Sequence, residues 1–96
     1  MDNAPFFSLH LFVSGRVQGV GFRFFAINRA NAYGITGWVK NLYDGRVEIE
    51  AEGKKQNLLL FLNDMRIGPR SAHVSNVLEK WQDISAPRYE SFNVGF

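Results

Sequence analysis

Hydrophobic and polar positions alternate from Phe6 to Ser14, with Leu9, Leu11 and Val13 on one side and Ser8, His10 and Phe12 on the other. A period of two predicts a β-strand with one covered face. The period then changes. From Phe22 to Tyr33, the residues Phe22, Ala26, Ala30 and Tyr33 fall on one stripe with Phe25 beside it, leaving Asn28, Arg29 and Asn31 to water. That spacing predicts a helix, closed by Gly34 at the C′ position. Ile35 to Tyr43 alternates again: Gly37, Val39 and Asn41 point one way, Thr36, Trp38, Lys40 and Leu42 the other. Asp44-Gly45 predicts a two-residue hairpin turn. The next strand, Arg46 to Glu52, turns Val47, Ile49 and Ala51 inward. Arg46, Glu48, Glu50 and Glu52 then make a solvated outer face.

Gln56 to Ile67 places Leu58, Phe61, Leu62 and Met65 on a helical stripe, with Leu59 and Leu60 at its edge and Gly68-Pro69 as the stop. Ser71 to Ile84 has a poorer phase. Val74 and Val77 are an odd number of residues apart, so they share a strand face only across a bulge. A helix over Val77 to Trp81 competes, but the second helix needs a return strand. Phe92 to Phe96 reads as a short edge strand. The order β-α-β-β-α-β plus a terminal strand predicts one α+β domain over residues 1–96, a ferredoxin-like sandwich. Its antiparallel sheet carries two helices on one face, with the first and third strands central and a short C-terminal edge strand.

Composition narrows the chemistry. With 96 residues, 46% of them apolar, the chain makes a single domain able to bury a core without covalent staples. The absence of cysteine removes disulfides, thiolate catalysis and Cys-type metal sites. The two histidines, His10 and His73, are too few for a His-rich metal site, and His10 reads as a half-exposed strand residue. Met1 to Pro5 lacks the basic and apolar regions of a signal peptide. No apolar run reaches the length of a membrane span. A soluble, cytoplasmic monomer with no membrane partner is expected. The net charge of +2 is too small to argue for nucleic acid.

The richest stretch is Gly15-Arg16-Val17-Gln18-Gly19-Val20-Gly21-Phe22-Arg23, between the first strand and the first helix. Its three glycines let a ligand approach the backbone closely. A loop feeding a helix start presents N–H groups without intrahelical partners, which suit an anion. Arg23, in the first turn, offers a rigid fork of donors matched to phosphate oxygens. Taken alone, the loop is equally an ordinary strand-to-helix turn with a solvated arginine. It is neither a Walker A loop nor a dinucleotide fingerprint, since Phe24 stands where the third glycine would be.

Val13-x-Gly15-x-Val17-Gln18-Gly19-Val20-Gly21-Phe22-Arg23, Gly34-x-x-Gly37-Trp38-Val39-x-Asn41 and Asp44-Gly45-x-Val47-x-x-x-x-Glu52-Gly53 together resemble the acylphosphatase family. Gly68-Pro69-x-x-Ala72-x-Val74 and Phe92-x-Val94 are similar to its second half. The resemblance implies hydrolysis of acyl phosphates, the mixed anhydrides of carboxylic and phosphoric acid, with no metal or cofactor. It implies catalytic roles for Arg23 and Asn41. It also implies a phosphate cradle formed by the backbone of Arg16, Val17, Gln18, Gly19, Val20, Gly21 and Phe22. Alternation puts Asn41 on the face away from Trp38 but does not say whether that face meets the loop.

Two other functions compete. One is the phosphate- or carbamoyl-phosphate-binding domain of a larger carbamoyl-transfer protein that matures hydrogenases. The other is an RNA-binding module of the same topology, since Gly19 to Phe25 faintly resembles an RNP1 signature. RNP1 belongs on the third strand, however, and Glu48, Glu50 and Glu52 on that strand's open face would repel RNA.

Overall fold

The computed structural model describes residues 5–95. The first four residues, which bear on the expectation of no leader, and Phe96, the far end of the expected last strand, lie outside the described residues. The elements are β1 (Phe6–Arg16), α1 (Phe22–Ala32), β2 (Thr36–Asn41), β3 (Val47–Gly53), α2 (Lys55–Ile67), β4 (His73–Ile84) and β5 (Phe92–Val94). They form one five-stranded sheet in the order β4-β1-β3-β2-β5, with both helices packed on it. The order and type of every element agree with the hydrophobic pattern.

The sheet departs from the expectation in one respect: it is mixed. Every neighbouring pair is antiparallel except β2 and β5, which pair in parallel through Gly37–Phe92, Trp38–Asn93 and Val39–Val94. The reason is topological. β4 occupies one edge and runs opposite to β1. The chain then crosses the outer face near one end of the sheet to reach the other edge, so its next strand runs opposite to β4 and therefore along β2.

The core lies between the sheet and the helices. Leu9, Leu11 and Val13 of β1, Val47, Ile49 and Ala51 of β3 and Val39 of β2 are fully buried there. They meet Phe22, Ala26 and Ala30 of α1 and Leu58, Phe61, Leu62 and Met65 of α2. The helix α1 ends as its sequence demands, with the Ile35 N–H donating to Ala30 O at 2.8 Å around Gly34. Leu59 and Leu60 sit farther from the core than expected, 48% and 51% exposed. They follow Leu58 by one and two residues, which turns them well off its stripe. The uneven phase of β4 has the anticipated cause. The register with β1 shifts between Ser14 and Gly15, skipping Ser75, so that Val74 and Val77 both pack against the core.

Burial at the centre of β3 predicts a contrast. Ile49→Val should cost about 1 kcal/mol, the usual effect of deleting one buried methylene. Leu59→Ala should stay within about 0.5 kcal/mol, as half-exposed positions generally do. Urea titration of both variants measures this, and equal losses would contradict the assignment of the buried stripe.

The outer face of β3 is not the solvated surface expected of it. Glu50 and Glu52 are 8% and 1% exposed. Residues 85–91 cross this face and deliver Arg88, whose backbone N–H donates to Glu52 Oε1 at 2.6 Å. The Arg88 guanidinium bonds both Glu52 and Glu50. Ser8 Oγ donates to Glu50 Oε2 at 3.0 Å. His10 is half-buried as expected, but it stands between two carboxylates, 2.5 Å from Glu50 and 2.6 Å from Glu48. Buried charge is tolerated here because each carboxylate has a partner. A cavity of ≈ 310 Å³ opens on this face beside His10, Glu50 and Arg88, on the side of the sheet away from the helices.

Candidate active site

The strand β1 runs two residues beyond the end of its alternation, to Arg16, and the loop to α1 occupies residues 17–21. Val17 is buried, Val20 is half-buried against the core, and Phe22 is 1% exposed. These apolar side chains turn inward and pin the loop at three points, so its backbone faces outward. Gly19 and Gly21 have φ of +75° and +80°, and no atom lies within 4 Å of where a Cβ would stand. Backbone conformation, not crowding, requires glycine at both positions.

Gly21 caps α1 with no side-chain hydrogen bond, and the first turn holds no acidic residue. Among the described residues, the N–H groups of residues 17–21 donate to no backbone carbonyl. Arg23 is exposed and joins no ion pair among the described residues. Loop N–H groups without backbone acceptors, the positive end of a helix and an unpaired arginine therefore fall within one stretch, residues 17–23. That combination suits a multiply charged oxyanion. Arg16 stands apart, exposed at the end of β1 opposite His73 of β4.

The face on which Asn41 lies, left open by alternation, follows from the register. Asn41 is paired with Val47, which is paired with Val13 of β1. Directly opposed residues share a face, and Val13 and Val47 are buried on the helix side. Half-buried Asn41 therefore points to the helix side, at the end of the sheet where β1 enters the loop. Two inter-strand spacings, about 10 Å, separate β2 from β1 there.

The hairpin beyond Asn41 has three loop residues instead of the expected two. The Leu42 N–H donates to Arg46 O at 2.8 Å, and the Gly45 N–H to Leu42 O at 3.2 Å. Tyr43 and Asp44 form the turn, and Gly45 takes the left-handed third position with φ +97°. Gln18, expected as one of the cradle residues, enters this hairpin with its side chain: Nε2 donates to Leu42 O at 2.8 Å and to Arg46 O at 2.9 Å. No local pattern marks that contact in the sequence. Arg46 also lies over the Phe12 ring, 4.8 Å from its centroid.

The Arg46 backbone N–H donates to Asp44 Oδ1 and its Nε to Oδ2, at 3.1 and 2.9 Å. These donors, the backbone N–H foremost, hold the Asp44 carboxyl below its ordinary value of 3.8. A lowered folded value gives stability that is complete above the unfolded value and lost as pH falls through the folded one. Melting temperatures of the protein and of Asp44→Asn should differ at neutral pH and converge in acid, once the carboxyl is protonated in both the folded and the unfolded chain. Curves that stay apart in acid would trace the difference to another group.

The two helices on this five-stranded sheet define a ferredoxin-like α+β domain. The family model of acylphosphatase matches residues 9–94, and the chain belongs to the acylphosphatase family. An acylphosphatase of Archaeoglobus fulgidus is 47% identical over 89 residues, which cover 93% of this chain and 98% of that one. The crystal structure of acylphosphatase from Bacillus subtilis superposes with a TM-score of 0.89 at 36% identity, covering 94% of this chain and 99% of that one. The structure of HypF from T. kodakarensis is also similar, with a TM-score of 0.79 at 30% identity, but the match covers only 12% of that longer chain.

Proposed function

We propose that this protein hydrolyses acyl phosphates to a carboxylate and inorganic phosphate. The observation that carries the proposal is the occurrence in one stretch of loop N–H groups without backbone acceptors, the uncapped start of α1 and unpaired Arg23, with Asn41 on the helix side at the same end of the sheet. Whole-length similarity to acylphosphatases supports it.

The chemistry asks little of the protein. The leaving carboxylate is a good one, so the substrate is already activated. Water attacks phosphorus, the new P–O bond forms, and the bond to the acyl oxygen breaks with its electron pair on the carboxylate. In this reading the backbone N–H groups from Arg16 to Phe22 hold the phosphoryl oxygens. Arg23 neutralises the charge they carry in the transition state. Asn41, whose amide can both donate and accept, holds the water in line. The proton released by the water passes to the substrate's own phosphate, because an asparagine is a poor base.

No cofactor enters this scheme, and the positive charge comes from Arg23 and the helix start. Among the described residues no three His, Asp or Glu side chains gather into a possible metal site. The protein would act as a cytoplasmic monomer on a small-molecule substrate, with neither nucleic acid nor membrane as partner. No described helix is long and apolar enough to cross a membrane.

The test is hydrolysis of benzoyl phosphate by the purified protein in the presence of EDTA. Turnover that survives chelation is the expected result. Phosphate binding without turnover would overturn the enzymatic reading and favour a binding domain of a larger carbamoyl-transfer protein.

A further inference from the structure

We infer that the Gln18 side chain is a positioning residue: it locks the hairpin that carries Asn41 to the anion cradle, and so sets the angle at which Asn41 presents its amide. The inference rests on the proposed hydrolysis, but its physical basis is separate from it. The family resemblance assigns the cradle to the backbone of residues 16–22, and the side chain of Gln18 is left without a duty. The structure assigns it one.

The contact is chemically specific. Leu42 O and Arg46 O are both acceptors, so the group facing them must be a donor, and the Gln18 NH2 supplies exactly as many hydrogens as there are carbonyls. The same two oxygens already close the hairpin, accepting from Gly45 N and Leu42 N. Gln18 thus grips the two ends of the turn at once. At its own end, it sits between buried Val17 and Gly19, in the middle of the cradle. Asn41 immediately precedes Leu42. A shift of the Leu42 carbonyl is therefore transmitted to Asn41 through a single peptide unit. Phe12 also braces the hairpin, through the Arg46 side chain that lies over its ring, but it does so from β1 and not from the loop. Without Gln18, the cradle and the hairpin keep their own shapes and lose their mutual alignment.

Gln18→Leu removes the amide at nearly constant volume. Gln18→Glu keeps the shape and places a carboxylate against two carbonyl oxygens. Both are to be compared with the intact protein and with Asn41→Ala in a kinetic cycle on benzoyl phosphate, after melting curves have confirmed folding. Gln18→Leu should lose about tenfold in kcat, with the inhibition constant of inorganic phosphate changed less than about twofold, and Gln18→Glu should lose at least as much in kcat. That is the split expected when a group active in the transition state is misaimed while ground-state binding persists. In the Asn41→Ala background, the Gln18 substitutions should cost less than about twofold, because the group they aim is already gone. Gln18→Glu should also recover activity as pH falls and its carboxyl gains a hydrogen to donate.

A second readout is independent of turnover. When inorganic phosphate is titrated into 15N-labelled protein, the Asn41 side-chain amide resonance should move in the intact protein and stay still in Gln18→Leu. If the intact protein proves inactive, the hydrolytic reading fails, and the titration decides the Gln18 link by itself. Losses that add fully to that of Asn41→Ala, or an Asn41 resonance that responds alike in both proteins, would overturn the inference.

Discussion

Arg23→Ala should abolish most activity, lowering turnover of an acyl phosphate by about two to three decades, or about 2.7–4 kcal/mol, as removal of a preorganised oxyanion donor does. The reason is electrostatic. The transferring phosphoryl group spreads negative charge over its peripheral oxygens, and a guanidinium answers two of them at once. Arg23 is exposed, outside every ion pair among the described residues, and set at a helix start with no acid to compete for it. Its loss should therefore appear in binding as well as in rate, with inorganic phosphate inhibiting the variant much more weakly. Stability should hardly change, because an exposed, unpaired side chain holds nothing together. Arg23→Lys should restore only part of the loss, since an ammonium keeps the charge without the fork. Steady-state kinetics with phosphate as competitor checks all of this, and a variant that still binds phosphate normally would remove Arg23 from the site.

Asn41→Ala should match that loss in rate, again about two to three decades, while leaving the phosphate site intact. The asparagine lies on β2, about two strand spacings from the start of the cradle, and its proposed partner is the water. The two variants thus separate the halves of the mechanism. Arg23 should affect kcat and phosphate affinity together, Asn41 the rate alone. Near-normal hydrolysis by Asn41→Ala would remove its assigned role and with it the reason for the Gln18 coupling.

Much of the fold was legible in the chain. Leu9, Leu11 and Val13, or Leu58, Phe61, Leu62 and Met65, declare their element through neighbours two to four positions away, and these short-range periods are what a strand or helix imposes. Gly34 predicted the end of α1 because a left-handed C′ position is a local demand. The loop ending in Arg23 was legible for the same reason. Its glycines and its place at a helix start are properties of a few consecutive residues. The hairpin was only partly legible. Asp44-Gly45 marked the turn, but whether Gly45 ends a two- or a three-residue loop depends on Leu42 meeting Arg46, and that pairing is set by the strand register.

The sequence by itself determined the elements, their order, the buried stripes, the glycine-rich loop before α1 and the acylphosphatase resemblance. Only the tertiary structure decided the parallel pairing of β5, the burial of Glu50 and Glu52 under Arg88, the side to which Asn41 points and the grip of Gln18 on the hairpin. The physical reason is separation along the chain. Gln18 reaches carbonyls 24 and 28 residues away, and Arg88 meets carboxylates 36 and 38 residues away. Contacts of that range are set by how strands align and where the chain crosses the sheet, and hydrophobic periodicity carries no information about either.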